Sequence, residues 1–258
     1  MGKKTAAPER TALGLPAVVI ACLFDMDGVL TQTAVVHDRA WKEMFDAYLK
    51  ERAARTGAPF VPFDKVKDYD EYVDGKPRAD GVRSFLASRH ITLPEGRDDD
   101  PPEKETVHGL GKRKDLIFLK LIHQHGVATY EGSVRYVRAA REAGLKTAVV
   151  SSSKNTTEVL RAAGIHDLFD GQVDGNLAEA EGLKGKPAPD TYLRAARMLG
   201  AGAKQSAVYE DALAGVEAGR AGGFALVVGV DRAHQATALK THGADVVVAD
   251  LADLIQKA

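Results

Sequence analysis

One stretch of the chain constrains its fold more than any other: an apolar run, residues 18–24, that ends in a pair of carboxylates. The run predicts a buried strand, and Asp25, Asp27 and Gly28 follow it directly. Because α/β proteins place ligands at the carboxyl edge of a parallel sheet, we expect a site there. One carboxylate can attack or bind a metal while the other moves a proton, so phosphoryl transfer is the leading hypothesis. The alternative is an ordinary strand end with a solvated Asp-Gly turn.

Length, composition and charge indicate an ordinary globular chain of one large domain or two smaller ones. The 258 residues are 45% hydrophobic and 28% charged, as in other globular proteins. A formal net charge of −1 provides no overall basic field, and nucleic acid is therefore not an expected partner. No apolar run approaches the roughly 18 residues that a membrane span needs, and we expect no membrane partner.

A single cysteine, Cys22, bears on the cellular compartment. It lies in the apolar run and cannot form an internal disulfide, which favours a reducing, cytoplasmic location. The alternative is a signal sequence, because Lys3, Lys4 and Arg10 precede an apolar stretch and residues 19–22 resemble a bacterial lipoprotein cleavage box. Nothing in the sequence demands an oligomer, and we expect a monomer.

Strands and helices alternate regularly after Tyr130, which predicts parallel βαβ units. The first strand belongs with this half, and the predicted fold class is α/β, a Rossmann-like doubly wound parallel sheet. Residues 34–127 are predicted to form a helical cap domain inserted between two parts of the core, 17–33 and 128–258. Residues 1–16 are expected to be a loose arm. The later strands are predicted at 146–151, 169–173, 207–210, 225–230 and 244–248.

The inserted cap is predicted to be mostly helical. Apolar residues from His37 to Leu49 recur at helical spacing, and further helices are expected near 81–90 and 112–124. The acidic run 97–105 is expected to be an exposed loop. An insertion beside the catalytic strand is well placed to act as a lid.

Three later segments provide the groups that a phosphoryl-transfer site needs. Ser151 ends a predicted strand just before a helix, where a hydroxyl and free backbone N–H groups form an anion site. Lys186 lies in a proline-stiffened loop and can neutralise both phosphate and carboxylates. Asp211 ends another strand, and its hard oxygens, with those of Asp25 and Asp27, suit Mg²⁺. The ordinary alternatives are a serine loop with a capping asparagine, a solvated lysine and an N-cap aspartate.

In this order, the four motifs resemble those of the haloacid dehalogenase superfamily of phosphotransferases, over nearly all of the chain after residue 16. The resemblance implies that Asp25 is the nucleophile, forming an aspartyl-phosphate, and that Asp27 is the general acid and base. It implies that Ser151 and Lys186 bind the reacting phosphate and that Mg²⁺ is the cofactor. The residues implied to bind the metal are Asp25, Asp27, Glu210 and Asp211.

A closer resemblance is to the β-phosphoglucomutase branch of this superfamily, whose members carry a helical cap after the first motif. The segments that carry it are 33–41, 75–78, 112–115 and 151–155. A sugar bisphosphate needs two cationic sites, and arginine suits the second because its fork binds phosphate oxygens in pairs. The residues implied to bind the substrate, a small phosphosugar, are His37, Trp41, Gly75, Arg78, Lys114, Ser153, Lys154 and Asn155.

Ordinary interpretations of the cap residues stay open at this point. Arg78 and Lys114 can belong to a solvated cap surface. His37 and Trp41 can be residues of the cap core, because apolar stripes on helices usually indicate packing. The cap also has an extra segment near residues 52–72, whose role the sequence leaves open.

The resemblance implies a Mg²⁺-dependent mutase that interconverts β-glucose 1-phosphate and glucose 6-phosphate through a bisphosphate. The alternative is a phosphatase acting on a sugar phosphate or another small phosphometabolite. The two differ in whether the aspartyl-phosphate meets a sugar or water. A non-catalytic phosphosugar sensor is disfavoured because Asp25 and Asp27 are both present. Gln32 stands where the family often has an aspartate, which leaves the identity of the substrate open.

Overall fold

The computed structural model describes residues 10–73, 76 and 78–256. Contacts within it divide the chain into two compact units. One unit, which we call the cap, is Ala34–Gly126. The other, which we call the core, contains the described residues up to Thr33 and from Val127 onward. The first strand therefore shares a unit with the C-terminal half of the chain.

The cap is helical and has an aromatic centre. Its α-helices are α1 (Ala34–Thr56), α2 (Arg78–Ser88) and α3 (Val107–His125), with a short π-helical segment at Tyr69–Val73. The predicted apolar stripe of α1 is buried from Ala40 to Leu49. The ring of Phe45 lies 4.1 Å from that of Phe85 and 5.4 Å from that of Phe63, centroid to centroid. Burial of such rings contributes favourably to the cap's stability.

Two sequence predictions for the cap need correction. Helix α3 begins at Val107 rather than near residue 112, because the side chain of Thr106 caps it by accepting a 3.0 Å hydrogen bond from the Gly109 N–H. The acidic run before it is not uniformly exposed: Asp100 is buried and accepts hydrogen bonds from Lys104 and Thr106. A buried carboxylate is tolerated when it is paired in this way.

In the part of the chain that the structure describes, the core contains one sheet of six parallel strands in the order β3-β2-β1-β4-β5-β6. The strands are β1 (Ala21–Phe24), β2 (Lys146–Val150), β3 (Gly171–Val173), β4 (Ser206–Glu210), β5 (Leu226–Val230) and β6 (Val246–Val248). Since β1 lies between β2 and β4, the chain builds the sheet outward from it in both directions. Ligands of open α/β sheets bind at such a switch point.

Helices between these strands complete the α/β core. They are α4 (Glu131–Glu142), α5 (Thr156–Ala162), α6 (Gly175–Ala180), α7 (Asp190–Met198), α8 (Leu213–Ala221) and α9 (Ala236–His242). Buried side chains of α7 and α8, including Tyr192 and Val216, form one apolar cluster with Leu23 of β1 and Val208 of β4. The predicted fold class, a Rossmann-like parallel sheet with an inserted helical cap, is confirmed.

The start of the described chain belongs to the core. Arg10–Leu13 forms a 3₁₀ helix, and Leu13 is fully buried. The Tyr136 hydroxyl donates a 2.9 Å hydrogen bond to the Leu13 carbonyl, and the Gln256 N–H donates one of 2.8 Å to the Ala12 carbonyl. The predicted loose arm is therefore wrong for residues 10–16, while residues 1–9 lie outside the described residues.

The chain leaves the core for the cap and returns to it at neighbouring positions. Thr31 forms an isolated antiparallel bridge with Thr129, and the N–H of Gln32 donates a 2.9 Å hydrogen bond to the Ala128 carbonyl. The two connecting segments are thus paired within the core itself. None of the helices among the described residues combines the length and the apolar character of a membrane span.

Candidate active site

The register of the sheet brings two acidic strand ends together. Phe24 of β1 pairs with Tyr209 of β4, and the N–H of Asp25 donates a 2.9 Å hydrogen bond to the Tyr209 carbonyl. Asp25 and Glu210, the residues directly after this pair, therefore lie side by side. Both are buried, with Asp25 8% and Glu210 1% exposed. The alternative of a solvated strand end is wrong for Asp25.

A tight turn follows Asp25 and requires a glycine. Gly28 has a φ of +81°, a conformation that other residues rarely adopt. Its N–H donates a 2.9 Å hydrogen bond to the Thr31 carbonyl. A Cβ atom at this position would lie 1.8 Å from Oδ2 of Asp211. The absence of a side chain thus lets the turn approach the Asp211 carboxylate closely.

Lys186 joins the two acidic strand ends. Its ammonium group donates hydrogen bonds to Oδ1 of Asp25 and, at 2.6 Å, to Oε1 of Glu210. Only 13% of its side chain is exposed, so the solvated-lysine alternative is wrong. Burial alone would lower the pKa of Lys186, but the carboxylates of Asp25 and Glu210 raise that pKa well above its usual value. The ammonium is therefore a fixed positive charge.

The site holds more negative charge than Lys186 can offset. Asp25, Glu210 and Asp211 each offer one oxygen within 4.8 Å of the others. Burial raises the pKa of Asp25 well above its usual range; Lys186 opposes this, while the neighbouring carboxylates add to it. Burial, followed by repulsion from Glu210, raises the pKa of Asp211 to about 7. Three crowded carboxylates become stable together when a cation binds them.

The donor set and its surroundings fit a hard divalent cation such as Mg²⁺, which prefers carboxylate oxygens. Close backbone contacts hold the carboxylates in place: a Cβ on Gly215 would lie 1.7 Å from Oε1 of Glu210. Helix α8 begins after Ala212, which occupies its N-cap position. The N-cap alternative for Asp211 is therefore wrong.

Asp27 lies at the edge of this group rather than inside it. Its side chain is not part of the three-carboxylate cluster, and its Oδ1 accepts a hydrogen bond from the buried hydroxyl of Thr33. The Thr33 hydroxyl lies 3.3 Å from that of Thr31, which donates a 3.1 Å bond to the Met26 carbonyl. The chain of hydroxyls orients Asp27, and the sequence prediction missed the part played by Thr33.

The segment after β2 places Ser151 next to the central strand. Ser151 is buried, and its Oγ accepts a 3.1 Å hydrogen bond from the Ser153 N–H. The Oγ of Ser153 in turn accepts from the Asn155 N–H at 3.1 Å. Asn155 occupies the N-cap position of α5 but makes no side-chain capping bond there. Lys154 points to a surface acid, with its ammonium 2.6 Å from Oε2 of Glu179.

Tyr192 is a residue of the site that sequence reasoning missed. It lies on α7, is fully buried, and its hydroxyl donates a 3.1 Å hydrogen bond to Oε1 of Glu210. Lys186 Nζ lies 5.0 Å from the centroid of its ring. The sequence predicts a helix over residues 189–199, and its only signal at Tyr192 is an apolar position, which indicates packing rather than contact with a catalytic group.

Among the predicted substrate-binding residues of the cap, Lys114 and His37 contact each other. Lys114 is buried, with its Nζ 2.7 Å from Nδ1 of His37. Burial, together with the nearby positive charges of Lys114 and Arg78, lowers the pKa of His37 well below its usual value. His37 is therefore neutral and accepts a hydrogen bond from the ammonium. The solvated-surface alternative is wrong for Lys114.

Trp41 and Arg78 have different surroundings. Trp41 is buried and stacks on Phe45 with ring centroids 5.3 Å apart, so it belongs to the cap core. Arg78 is half-buried, and its guanidinium lies 2.7 Å from Oδ1 of Asp115. Gly75 lies outside the described residues.

Comparison with known proteins shows which family the chain belongs to. Residues 20–223 match the family described as haloacid dehalogenase-like hydrolases. The chain is 57% identical over 246 residues to a β-phosphoglucomutase of Mycobacterium bovis, covering 94% of each chain. It is 30% identical to a β-phosphoglucomutase of Bacillus subtilis, covering 91% of each. The crystal structure of a β-phosphoglucomutase from Clostridium difficile has the same fold, with a TM-score of 0.68, 24% identity and coverage of 92% of this chain and 93% of that one.

The chain therefore belongs to the haloacid dehalogenase-like hydrolase family. Within that family it falls in the β-phosphoglucomutase-like branch. Both the superfamily and the branch that the motifs predicted are confirmed.

Proposed function

We propose that this protein is a Mg²⁺-dependent phosphoglucomutase that interconverts β-D-glucose 1-phosphate and glucose 6-phosphate. The observation that carries the proposal is a buried Asp25 carboxylate, held by Lys186 at the switch point of a parallel sheet. The sugar is inferred from the name of the Mycobacterium bovis relative. We further propose that the enzyme is a monomer and that it is cytoplasmic, because its single cysteine is buried and forms no disulfide.

In the proposed mechanism, Asp25 carries the phosphoryl group between two halves of the reaction. Phosphorylated Asp25 transfers its phosphoryl group to the 6-hydroxyl of β-glucose 1-phosphate, while Asp27 accepts the hydroxyl proton. The resulting bisphosphate then presents its other end. Its C1 phosphoryl group returns to Asp25 as the bond to the C1 oxygen breaks, and Asp27 donates its proton to that oxygen. Glucose 6-phosphate leaves, and phosphorylated Asp25 is regenerated.

Charge determines whether a carboxylate can attack a phosphoryl group at all. Lys186 fixes the orientation of Asp25 and offsets its repulsion of the phosphate oxygens, and Ser151 supplies a hydroxyl at the end of β2. Mg²⁺, held by Asp25, Glu210 and Asp211, would supply the further positive charge that the transferring group needs. The hydrogen bond from Thr33 keeps Asp27 oriented for proton transfer.

We propose that Arg78 and Lys114 of the cap bind the second phosphate of the bisphosphate, and that Ser153, Lys154 and Asn155 of the core are phosphate-binding residues as well. The guanidinium of Arg78 can bind two phosphate oxygens at once. His37 holds the ammonium of Lys114, which also lies 5.1 Å from the centroid of the Trp41 ring. Gly75 belongs to the same proposed set.

The experiment supplies the protein with β-glucose 1-phosphate, Mg²⁺ and a trace of glucose bisphosphate. Glucose 6-phosphate is followed with a coupled dehydrogenase, and free phosphate is followed colorimetrically. We expect glucose 6-phosphate without stoichiometric phosphate. Release of phosphate with no glucose 6-phosphate would contradict the mutase and favour the alternative, a phosphatase acting on a small phosphometabolite.

A variant pair tests the role of Asp25 in the same assay. Asp25→Asn removes the nucleophile and is expected to lower turnover at least about a thousandfold. Asp167→Asn changes a fully exposed aspartate of the core and serves as the control. A normal rate for Asp25→Asn would overturn the proposed mechanism.

A further inference from the structure

The loop that follows β5 contacts both catalytic loops of the core. Arg232 Nε donates a 2.9 Å hydrogen bond to the Gly28 carbonyl, directly after Asp27. Gln235 Nε2 donates a 3.0 Å hydrogen bond to the carbonyl of Asp211. The two carbonyls lie beyond the ends of β1 and β4, where the sheet no longer determines the path of the chain. One loop therefore holds the backbone on both sides of the acidic cluster.

The loop is itself well anchored. The Asp231 N–H donates a 2.8 Å hydrogen bond to the Val248 carbonyl, and Asp231 Oδ1 accepts one of 2.7 Å from the Gln235 N–H. His234, between the two contacting residues, has a φ of +56°, which residues other than glycine seldom adopt. A residue keeps such an unfavourable backbone conformation only where surrounding contacts hold it, so the loop can act as a fixed support.

Arg232 makes contacts that suit a brace rather than a surface charge. Its Nη1 donates a 2.8 Å hydrogen bond to the Ala249 carbonyl, and its guanidinium carbon lies 3.5 Å from the ring centroid of Tyr130. The Tyr130 N–H donates to the Leu30 carbonyl at 2.9 Å, at the far end of the turn that contains Gly28. Only 18% of the Arg232 side chain is exposed. Arg232 and its stacking partner thus hold both ends of that turn.

The two catalytic loops also press directly on each other. Gly28 approaches the Asp211 carboxylate so closely that a Cβ would overlap Oδ2. Any displacement of the Gly28 backbone therefore changes the position available to this carboxylate. Each of the three loops therefore contacts the other two, through the pairs Gly28–Arg232, Asp211–Gln235 and Gly28–Asp211.

We propose that Arg232 and Gln235 are positioning residues that set the spacing between the Asp27–Gly28 turn and the carboxylate of Asp211. The inference rests on the proposed function, in which these two loops carry the acid/base and a metal ligand. Neither residue touches the reacting atoms. Both act by holding backbone carbonyls, as residues behind metal ligands commonly do.

Two conservative variants test the proposal. Gln235→Leu removes the amide at nearly constant volume, and Arg232→Met keeps the alkyl stem but loses the donors and the stacked charge. Arg161→Met, which removes an exposed cation paired with Glu158, is the matched control. Thermal unfolding is measured for each variant to reveal a loss of stability. Arg232→Lys, which keeps the charge, provides a further comparison if Arg232→Met does not fold.

Binding of Mn²⁺ in place of Mg²⁺, followed by the loss of the free-ion EPR signal, is the readout that does not depend on activity. We expect Gln235→Leu to weaken Mn²⁺ binding by about tenfold, in line with other losses behind a metal ligand. Arg232→Met should lower kcat more than it raises KM, because it frees the turn that carries Asp27. Arg232→Lys should recover part of kcat.

The results separate this inference from the proposed function. Reduced Mn²⁺ affinity in Gln235→Leu supports the positioning role whichever reaction the enzyme catalyses, so a wild type without mutase activity would overturn only the proposed function. Unchanged Mn²⁺ affinity in Gln235→Leu together with unchanged kcat in Arg232→Met would overturn the positioning role. The positioning role would also be overturned if these two variants lowered the melting temperature but changed neither Mn²⁺ affinity nor kcat.

Discussion

The hydroxyl of Tyr192 lies 3.1 Å from Oε1 of Glu210, the same oxygen that accepts a hydrogen bond from Lys186. A neutral donor and a charged donor therefore share one buried carboxylate oxygen. The shared oxygen fixes Glu210 in a single orientation beside Asp25. Removing the neutral donor alone is the mildest way to disturb the site.

Tyr192→Phe removes this donor without changing the shape of the core. Hydrogen bonds to charged groups contribute about 1.5–3 kcal/mol, so we expect the free energy of unfolding to fall by roughly that amount. Tyr136→Phe is the matched control, because its hydroxyl bonds only to the neutral Leu13 carbonyl and Tyr209 hydroxyl among its described hydrogen bonds. Its expected cost is about 0.5–1.5 kcal/mol, with normal turnover. Urea denaturation measures both, and equal turnover in the two variants would contradict a role for Tyr192 in the site.

Arg78→Ala tests whether the cap recognises a second phosphate. Losing charge-assisted hydrogen bonds should reduce mutase turnover by between about tenfold and a hundredfold, since each 1.4 kcal/mol corresponds to a factor of ten. Hydrolysis of a simple aryl phosphate, which has no second phosphate, should change little. Arg55→Ala removes a cap arginine that pairs with Glu105 on the surface and is the control. Equal losses of both activities would remove the reason for assigning Arg78 to the distal phosphate.

His37 makes the stability of the protein depend on pH. Because its pKa is lowered by burial first and by Lys114 and Arg78 next, the folded state binds fewer protons than the unfolded state below pH 6.5. About pH 6.5 is the ordinary pKa of histidine. Above this pH the neutral His37 costs the folded state nothing, and below it the free energy of unfolding falls because the unfolded state takes up the proton more readily. The free energy of unfolding, measured in urea between pH 7.5 and 5, should therefore decrease with falling pH.

His37→Gln should flatten that pH profile because glutamine does not titrate. His166→Gln, at a site with 41% of the side chain exposed, should leave the profile as it is in the wild type. Identical profiles for all three proteins would show that His37 is not the group responsible.

The thiol of Cys22 should be almost unreactive in the folded protein. Burial raises its pKa to about 12, although the hydrogen bond with Tyr209 opposes the rise, so little thiolate exists at pH 8. A chromogenic disulfide reagent should react with one thiol per chain only when denaturant is added. Ala47→Cys, on the exposed face of α1, should react at once and give the reference rate. Rapid reaction of wild-type Cys22 would mean that β1 opens readily.

The four inner strands, β1, β2, β4 and β5, could be predicted from the sequence because nearly all of their residues are buried. Such strands are continuous apolar runs, and the predicted later strands agree with the observed ones to within two residues at each end. Helix α6 was missed because it has only six residues and begins with Gly175 and Asn176. Its start is set by Asp174, whose side chain accepts from the Leu177 N–H, and such a short helix has no periodic pattern.

The motif residues of the site could also be located, but their supporting contacts could not. Asp25, Lys186, Glu210 and Asp211 meet because each ends a strand or lies in a loop at the same edge of the sheet. The supporting contacts join a side chain to a distant group: Tyr192 to Glu210 across 18 positions and Arg232 to Gly28 across 204. They depend on helix orientation and loop path, which local patterns do not specify.

The paired segments at Thr31–Gln32 and Ala128–Thr129 have an evolutionary consequence. The segment that leaves the core and the segment that returns to it already pair there. The strands of the Rossmann-like sheet can therefore pair whatever sequence is inserted beyond this point. An insert beyond this junction can change in length or be replaced while the acidic strand ends keep their register. Substrate preference can thus diversify between relatives without rebuilding the catalytic machinery.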